Sequence, residues 1–580
     1  YAAARHSDHG MDRQDGERVA ERAAEALGPE AGLVASLDPV SLARAMAEVG
    51  AGLARHPFGG ALAGLRYATG MAAAGAVSVA RALGGQTSPP IPPPARDRRF
   101  ADEAWEGNPL FFALQQSYLL TARLAKELVT AAELEPRWRA KADLATQLLI
   151  DALAPTNFLV TNPAALKRAF DTGGLSAVRG VNHFLDDLVG NNGKPRQVDA
   201  RPFTLGENLA ATKGKVVFRN SLMELIQYEP TTRTTYETPI LCSPPWINKY
   251  YVMDLAPGRS FIQWAVDHGH TVFAISYRNP DKTMHGVKLD DYLLQGPVTA
   301  LDVVRDITGA PQANVVGLCL GGTLTTMLIA YLDAIGDQRV RSATLLNTLI
   351  DFSKPGVLGT FTDRETVERL EAKMARQGYL EGREMALTFD LLRANDLIWN
   401  YVASNWLMGE DPPAFDILAW NADSTRMPAA MHSFYLRTCY LDNQLARGEM
   451  ELAGVGLHLD AVTQDLYLVG AANDHITPWK SSYSTTQLVK GDTRFVLSSS
   501  GHIAGIVNPP SPKARHWTNE ETPSDPEVWL AGATEHAGSW WDDWVPWAKA
   551  HGGQRRKPPP MGNATHPPIA DAPGSYILEK

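Results

Sequence analysis

The sequence predicts an α/β fold in which helices cover both faces of a mostly parallel sheet, preceded by a mainly helical region. Two observations carry this prediction. After Val216, short apolar runs alternate with stretches of helical periodicity, which is typical of strands and helices that follow one another in a parallel sheet. Before that point, long helical patterns are interrupted by proline and glycine.

Composition excludes several classes of protein. The chain has 580 residues, of which 44% are apolar and 20% charged, as in ordinary globular proteins. Its net charge of −10 argues against nucleic-acid binding, which depends on neutralising phosphates. Three cysteines cannot form a disulfide framework in so long a chain and fit a reducing cytoplasm. The polar start predicts no secretory signal, and no apolar run reaches the ~20 residues that cross a bilayer. We therefore expect a soluble cytoplasmic protein.

The first part of the chain is predicted to be helical. Apolar residues recur at helical spacing from Leu42 to Leu53, after a possible cap at Asp38. This helix could pack on the main body, pair with another chain or lie on an apolar surface. Consecutive prolines within residues 88–94 predict a semi-rigid linker. Residues 108–188 show helical periodicity again.

Strands and helices alternate in the rest of the chain. The predicted strands are 238–245, 270–278, 313–318, 342–350, 465–471 and 493–499, with helices in most of the gaps. The gap between Ile350 and Asp465 is much longer than the others and rich in aromatic residues. An insertion of that size in an α/β fold is best interpreted as a cap over an active site.

Residues 314–323, Asn-Val-Val-Gly-Leu-Cys-Leu-Gly-Gly-Thr, combine an apolar strand, a Gly-x-Cys-x-Gly turn and a helix. This is the nucleophile-elbow pattern of α/β-hydrolases, with cysteine where serine is usual. Glycines at 317 and 321 give the room that a sharp strand-to-helix turn needs, and the helix N-terminus favours a thiolate at Cys319. The alternative is that Cys319 is a buried core cysteine in a glycine-rich turn.

An acid and a histidine follow in the chain order that this fold requires. Asp474 comes directly after the run 465–473, which contains the predicted strand 465–471, and His502 comes directly after the run 493–501, which contains the predicted strand 493–499. Taken alone, Asp474 could be a turn residue and His502 a polar loop residue. Together with Cys319 they predict a catalytic triad. His475 is a rival base, but its side chain would diverge from that of its neighbour Asp474, so we expect it to support the loop.

An oxyanion hole is needed if an acyl group is attacked. One donor is expected from the backbone N–H of Leu320, the residue after the nucleophile. For the second donor, the loop after the strand 238–245 offers Trp246 or Ile247, since prolines lack an N–H, and Ile247 is favoured. Cys242 and Cys439 are expected to be packing residues. No Cys/His spacing indicates a metal site and no nucleotide-phosphate loop is visible, so neither a metal nor a cofactor is predicted.

Long stretches of the chain resemble one known family. They include NPLFFALQQSYLL, PTNFLVTNPAALKRAFDTGG, FRNSLMELIQYEPTT, PPWINKYYVMDL, GLCLGGTL, PPAFDILAWNADSTRMPAAMHSFYLR and SGHIAGIVNPP. The sequence is similar to the polyhydroxyalkanoate synthases, in particular the single-component class I type. The resemblance implies a lipase-like α/β-hydrolase catalytic domain with a mobile helical cap. It also implies an N-terminal domain tied to dimerisation and granule association, and it places Cys319, Asp474 and His502 at the family's triad positions.

The predicted domains follow from the pattern and the resemblance together. They are an Ala/Gly-rich region with a proline-rich linker (1–95), a helical N-terminal domain (96–205), the two parts of the catalytic core (206–350 and 436–550), the cap insertion (351–435) and a proline-rich tail (551–580). Aromatic cap residues such as Trp399, Tyr401, Trp406, Phe415 and Trp420 would exclude water from the site.

The implied substrate is an (R)-3-hydroxyacyl-CoA, and we expect a short-chain one such as 3-hydroxybutyryl-CoA, so that CoA is part of both substrate and product. Thiolate attack would keep the acyl group activated as a thioester on Cys319. Either His502 or Asp474 would then activate the 3-hydroxyl of the next unit. The implied partners are the growing polyester, the granule surface and a second copy of the chain in a homodimer. Two alternatives stay open: a cysteine-dependent acyl-CoA thioesterase or hydrolase of the same fold, and a non-catalytic granule coat.

Overall fold

Two groups of residues pack as separate units in the computed structural model, which describes residues 39–85, 87–94 and 97–580. The first unit takes the N-terminal part of the chain up to residue 199 together with residues 387–413. The second unit takes residues 200–386 and 414–580. The possible cap at Asp38 lies outside the described residues.

The first unit is helical, as the sequence predicts. Its helices are α1 (Pro39–Arg55), α2 (Pro57–Ala82), α3 (Ala104–Gly107), α4 (Pro109–Ala131), α5 (Pro136–Ala152), α6 (Pro163–Asp171) and α7 (Leu175–Gly190). Prolines begin most of them, because a missing N–H costs nothing in the first turn of a helix. The side chains of Asn108 and Asn162 accept backbone N–H groups at the starts of α4 and α6.

Helix α1 packs on the body of this unit, which is the first of the three alternatives left open by its periodicity. Ala45 and Val49 are buried against Val129, Ala132 and Ala142. The next helix, α2, runs along α4, where small residues allow a close approach. At Gly59 of α2, for example, an added Cβ atom would lie 2.9 Å from the Cβ atom of Ala131.

The middle part of the predicted cap, residues 387–413, belongs to the first unit. It contains two π-helical turns, Asn395–Trp399 and Val402–Leu407. Trp406 packs there edge-to-face on Phe184 and donates its indole N–H to Asp187 at 2.9 Å. The other parts of the insertion belong to the second unit. A cap that closes over the site, and the predicted domain boundaries, stay predictions.

The second unit contains a large mixed sheet. In chain order its strands are β1 (Gly214–Arg219), β2 (Met223–Tyr228), β3 (Ile240–Ser243), β4 (Val272–Tyr277), β5 (Ala313–Leu318), β6 (Val340–Leu346), β7 (Asp465–Ala471), β8 (Thr493–Ser498), β9 (Arg515–Thr518), β10 (Thr534–Ala537) and β11 (Ala570–Asp571). Their order across the sheet is β10-β9-β8-β7-β6-β5-β3-β4-β2-β1-β11.

The strands from β8 to β4 in that order are all parallel, and those outside them pair antiparallel. The parallel strands are those that the sequence predicts, and they consist of near-continuous apolar residues because both faces are covered. The predicted α/β-hydrolase fold is therefore confirmed. The antiparallel edge strands were not predicted.

Helices cover the sheet and connect its strands. They are α8 (Phe261–Asp267), α9 (Leu289–Leu293), α10 (Thr299–Thr308), α11 (Leu320–Ala334), α12 (Arg364–Gln377), α13 (Gly382–Leu392), α14 (Asp416–Ala422), α15 (Ala429–Tyr435), α16 (Gln444–Arg447), α17 (Trp479–Tyr483), α18 (Pro526–Ala531) and α19 (Trp540–Ala550). π-Helical turns follow α9 at Leu294–Val298 and α15 at Leu436–Leu441.

Tryptophans of α19 fasten the loop that follows β8. The indole N–H of Trp540 donates to the carbonyl of Gly505 at 3.0 Å, and that of Trp541 donates to the carbonyl of Ile506 at 2.9 Å. Both rings are buried and pack with Phe261. The loop that carries His502 is therefore held at its far end by two buried hydrogen bonds.

Glu224 of β2 holds the end of the described chain against the sheet. Its side chain is fully buried, is paired with Arg219, and accepts the backbone N–H groups of Ser575 and Tyr576 at 2.9 and 3.0 Å. The short strand β11 is thus followed by a segment that one carboxylate fixes in place.

We expect Glu224→Ala to loosen this segment selectively. Loss of hydrogen bonds to a charged acceptor should lower the local opening free energy by about 2 kcal/mol, which speeds amide exchange about 30-fold. Hydrogen–deuterium exchange of the peptide that contains Ser575 and Tyr576 measures this. Glu535→Ala, which removes an exposed partner of Arg515, serves as the control and should leave that peptide unchanged. Equal exchange in the wild type and in Glu224→Ala would contradict the assignment.

Candidate active site

Cys319 lies at the turn between β5 and α11. Its backbone has φ 52° and ψ −118°, a conformation that is strained for a residue with a side chain. The residue is 8% exposed, and its N–H donates to the carbonyl of Leu346 on the neighbouring strand at 2.8 Å. The sequence pattern of strand, turn and helix is thus the local structure that the chain forms here.

The glycines around Cys319 are required by close backbone contacts. A Cβ atom on Gly321 would lie 2.0 Å from the carbonyl oxygen of Ser243, and one on Gly317 would lie 2.6 Å from the Cα atom of Gly322. Since real Cβ atoms do not approach other atoms so closely, a larger side chain at either position would push α11 away from the end of β3 or of β5. Glycine at these two positions therefore allows the first turn of α11 to lie close against the ends of the neighbouring strands.

Asp474 uses its two carboxylate oxygens for two different tasks. Oδ1 accepts the backbone N–H groups of Ile476 and Thr477 at 2.8 and 2.9 Å, which builds the turn after β7. Oδ2 accepts the hydroxyl of Thr477 at 2.7 Å and lies 2.6 Å from Nδ1 of His502. The side chain is completely buried. Asp474 is therefore both the turn residue and the histidine's partner, which the sequence offered as alternatives.

His502 follows β8 and is buried, with its ring oriented by several contacts. Its Nδ1 is engaged by Asp474, and its backbone carbonyl accepts the amide of Asn347. Burial alone would lower the pKa of the imidazole, but the charges of Asp474 and Cys319 and hydrogen bonds to both raise it to about 10. Burial likewise acts to raise the pKa of Asp474, but the charge and hydrogen bond of His502 keep it below its usual value.

The structure therefore brings the three residues of the predicted triad together. Asp474 contacts Nδ1 of His502, which leaves Nε2 as the ring nitrogen for Cys319, and Cys319 lies close enough for its charge to raise the pKa of the histidine. This order of groups suits a thiol that loses its proton to an imidazole held by a carboxylate. Their catalytic roles stay predictions.

His475 lies beside this group rather than within it. It is half-buried and follows Asp474 directly, while His502 occupies the position next to the carboxylate. The two other cysteines are far less suited to chemistry. Cys242 and Cys439 are fully buried, and burial raises the pKa of both thiols, that of Cys439 to about 12.

The predicted oxyanion donors lie on two loops near the elbow. Leu320 is the first residue of α11, and Ile247 is in the turn that follows β3. Neither N–H donates to a backbone carbonyl within the described part of the chain. The loop is held from the other side, because the indole N–H of Trp420 donates to the carbonyl of Lys249 at 2.8 Å. The assignment of Leu320 and Ile247 as donors stays a prediction.

Sequence reasoning missed four residues around the site. Thr477 braces Asp474 and lies 3.2 Å from Nδ1 of His502, and Asn347, directly after β6, fastens the backbone of His502. Tyr435 and Tyr440 pack edge-to-face with ring centroids 5.5 Å apart, and the charge of Cys319 acts to raise the pKa of both. Asn347 could have been found, because a polar residue at the end of a buried strand often marks a site. Tyr435 ends α15 and Tyr440 lies in the π-helical turn after it, so neither tyrosine shows such a pattern.

Two features are absent from the described ranges, a metal-binding cluster and a membrane-spanning helix. Among residues 39–85, 87–94 and 97–580 no group of His, Cys, Asp and Glu side chains is arranged to hold a metal ion. Over the same ranges, none of the helices combines the length and the apolar character that crossing a bilayer requires.

Comparison with known proteins gives consistent matches. Residues 96–265 match the family model described as the N-terminus of poly-beta-hydroxybutyrate polymerase (PhaC), and residues 246–509 match the alpha/beta hydrolase fold. A poly(3-hydroxyalkanoate) polymerase of Methylorubrum extorquens is 42% identical over 560 residues, covering 96% of this chain and 93% of its own length. The polymerase subunit PhaC of Cupriavidus necator is 43% identical, with 84% of each chain covered.

The search of solved structures returned proteins of lower similarity. One is a putative non-heme bromoperoxidase, BpoC, of Mycobacterium tuberculosis, with 17% identity and a TM-score of 0.30 over 50% of this chain and 91% of that one. Another is a thermostable carboxyl esterase of Bacillus coagulans, with 11% identity and a TM-score of 0.32 over 57% of this chain and 94% of that one.

We expect Asp474→Asn to lower the pKa of His502, because it removes the largest influence that raises it. NMR titration of histidines labelled at Cε1 measures this, with His502→Gln identifying the signal. The same contact links stability to pH. A histidine whose pKa is raised on folding stabilises fully below its unfolded value of about 6.5. That contribution falls at higher pH and is lost as pH rises through about 10. An unchanged titration in Asp474→Asn would contradict the contact.

Proposed function

The chain belongs to the poly(3-hydroxyalkanoate) polymerases, and we propose that it extends the polyester through an acyl thioester on Cys319. The enzyme is an acyltransferase that polymerises 3-hydroxyacyl units. The observation that supports the proposed route is the contact of Asp474 with His502 beside Cys319 at the elbow. The substrate would be an (R)-3-hydroxyacyl-CoA, and CoA would leave as product.

The first half-reaction loads the enzyme. His502 takes the proton of the Cys319 thiol, and the resulting thiolate attacks the thioester carbonyl of the substrate. The oxyanion that forms would be held by the N–H of Leu320, at the start of α11, and by that of Ile247. When the carbon–sulfur bond to CoA breaks, the leaving thiolate takes the proton from His502. The acyl group then stays activated as a thioester on Cys319.

The second half-reaction forms the ester. The 3-hydroxyl of an incoming hydroxyacyl-CoA loses its proton to His502 and attacks the thioester on Cys319, which releases the cysteine thiolate and leaves a chain longer by one unit on CoA. We assign the hydroxyl's proton to His502 rather than to Asp474. Both oxygens of Asp474 are already hydrogen-bonded and its side chain is completely buried, so it has no free face for a substrate.

Association with the polyester granule is the second part of the proposal. Helix α7 exposes Leu175, Val178, Val181 and Leu185, which recur at helical spacing along one face. Phe170, just before this helix, is 83% exposed. Apolar side chains in such a row mark a surface that binds something apolar, and the polymer is the apolar body that this enzyme makes. The proposed location is therefore the surface of polyester granules in the cytoplasm. The homodimer stays a prediction.

We expect Cys319→Ala to abolish both CoA release and polymer formation from (R)-3-hydroxybutyryl-CoA while the protein stays folded. Cys319→Ser should retain less than about 1% of the rate, since a hydroxyl at the elbow is a much weaker nucleophile and forms a less activated ester. CoA release and insoluble polyester are measured together, with circular dichroism as the check on folding. CoA release accompanied by free acid alone would indicate a thioesterase, and full turnover by Cys319→Ala would contradict the proposed intermediate.

We expect Val178→Asp combined with Val181→Asp to weaken binding to polyester particles by at least about ten-fold, because two charges enter the exposed apolar row. Co-sedimentation with poly(3-hydroxybutyrate) particles measures the bound fraction. Lys167→Asp on α6 makes the same change in net charge outside the row and serves as the control. CoA release in solution should stay at the wild-type rate in both variants. Equal binding by all three proteins would contradict a role of α7.

A further inference from the structure

Beside Cys319 lies a buried cluster of aromatic side chains, and several of their polar atoms have no hydrogen-bond partner among the described residues. The cluster is formed by Trp246, Tyr277, Tyr292, His432 and Tyr435, and we call it the aromatic wall. Trp246 packs edge-to-face on Tyr435 with ring centroids 5.5 Å apart and faces Tyr292 at 6.2 Å. Tyr292 in turn contacts Tyr277 at 5.2 Å, and His432 lies 6.0 Å from Tyr435. The wall adjoins the elbow, because Trp246 lies two residues after Pro244, whose carbonyl oxygen would be 2.6 Å from a Cβ atom on Gly321.

Five polar atoms of this wall have no hydrogen-bond partner among the described residues. They are Nε1 of Trp246, the hydroxyls of Tyr277 and Tyr292, and both ring nitrogens of His432. A buried polar atom without a partner costs about 1–3 kcal/mol, and native structures contain few of them. Several such atoms in one contiguous cluster, next to the nucleophile, therefore point to a ligand that supplies the missing partners.

Two short helices carry the opposite sides of the wall. Tyr292 lies on α9, whereas His432 and Tyr435 lie on α15, and the two helices pack against each other. A π-helical turn follows each of them, and the one after α15 carries Tyr440. π-Helical turns occur often at functional sites. These polar atoms have no partner while the wall is packed. A ligand whose oxygens can hydrogen-bond to them would therefore bind between α9 and α15, and the two helices would move apart.

The chemistry of these groups fits a hydroxylated acyl chain. Burial lowers the pKa of His432 to about 4, so the ring is neutral at pH 7 and offers one N–H donor and one nitrogen acceptor. A hydroxyl group can use both, as donor and as acceptor. The indole N–H of Trp246 is a donor only and suits a carbonyl or ester oxygen. A plain aliphatic chain would satisfy none of them.

We propose that the aromatic wall binds the 3-hydroxyacyl unit and selects it over an acyl group without a hydroxyl. His432 and Tyr292 would bond to the 3-hydroxyl, and Trp246 would bond to an ester oxygen of the same unit or of the one before it. These are specificity-determining contacts rather than steps of the transfer itself. The inference rests on the proposed function, because it assumes that Cys319 accepts the acyl group.

The test compares acylation by two substrates that differ only in the hydroxyl, (R)-3-hydroxybutyryl-CoA and butyryl-CoA. The first CoA released and the mass of the acyl-enzyme are measured for each, and kcat/KM for acylation gives the selectivity ratio. A site that hydrogen-bonds a substrate hydroxyl discriminates strongly against its absence. We expect His432→Phe to reduce this ratio by at least about ten-fold and Tyr292→Phe by about three- to ten-fold, chiefly through the hydroxylated substrate.

Two features of the design separate recognition from packing. Tyr292→Phe removes a single buried oxygen without a partner, so the fold should keep its melting temperature or gain slightly while selectivity falls. His270→Phe is the matched control, since His270 is also a buried histidine whose pKa is lowered by burial, but it packs against Tyr236 and Trp544. It should leave the ratio at the wild-type value.

Several outcomes would overturn the inference. Folded His432→Phe and Tyr292→Phe proteins with a ratio within two-fold of the wild type would do so, as would an equal loss of rate with both substrates, which is the behaviour of a packing residue. Failure of the wild type to release CoA from either substrate would contradict the proposed function itself. That result is distinct from acylation without selectivity, which contradicts only the role of the wall.

Discussion

The site depends on the bond between Asp474 and His502. The loops that follow β5, β7 and β8 meet there, and the carboxylate of Asp474 connects the loop after β7 with the loop after β8. Its first oxygen closes the turn after β7, so the position of the second oxygen relative to the histidine is set by backbone geometry and not by a flexible side chain. The loop of His502 is fastened again at its other end by tryptophans of α19. The imidazole of His502 is therefore held in one orientation beside the thiol of Cys319, and general-base catalysis requires such a fixed orientation.

Much of this arrangement was visible in the sequence, and the reason is periodicity. The parallel strands are buried on both faces and consist of continuous apolar residues, so they stand out between helical stretches. The elbow glycines and the residues directly after β7 and β8 follow from the fold's chain order. The antiparallel strands β1, β2, β9, β10 and β11 did not stand out. They mix apolar and polar residues, and whether such a segment forms a strand depends on the neighbour with which it pairs.

Other features were beyond the reach of sequence patterns because they depend on long-range contacts. The insertion after β6 shows a helical sequence pattern throughout. In the structure, however, its residues 387–413 belong to the same unit as the N-terminal helices, and its other residues belong to the unit that contains the sheet. Thr477 was visible only as a turn residue, and Tyr435 only as part of an apolar helix. Their proximity to Asp474 and Cys319 arises from distant parts of the chain and has no local signal.

The position of Trp246 has a consequence for altering which monomers such an enzyme accepts. This tryptophan belongs to the aromatic wall through its ring and, through its backbone, to the loop that carries Ile247. Under the proposed roles of the wall and of Ile247, replacing Trp246 by a smaller residue would change monomer recognition and shift that loop at the same time. Tyr292 stands on a separate helix, with its ring centroid 6.2 Å from that of Trp246. Under the same proposal, a smaller residue at position 292 would leave the loop in place, which makes α9 the better starting point for changing the range of monomers.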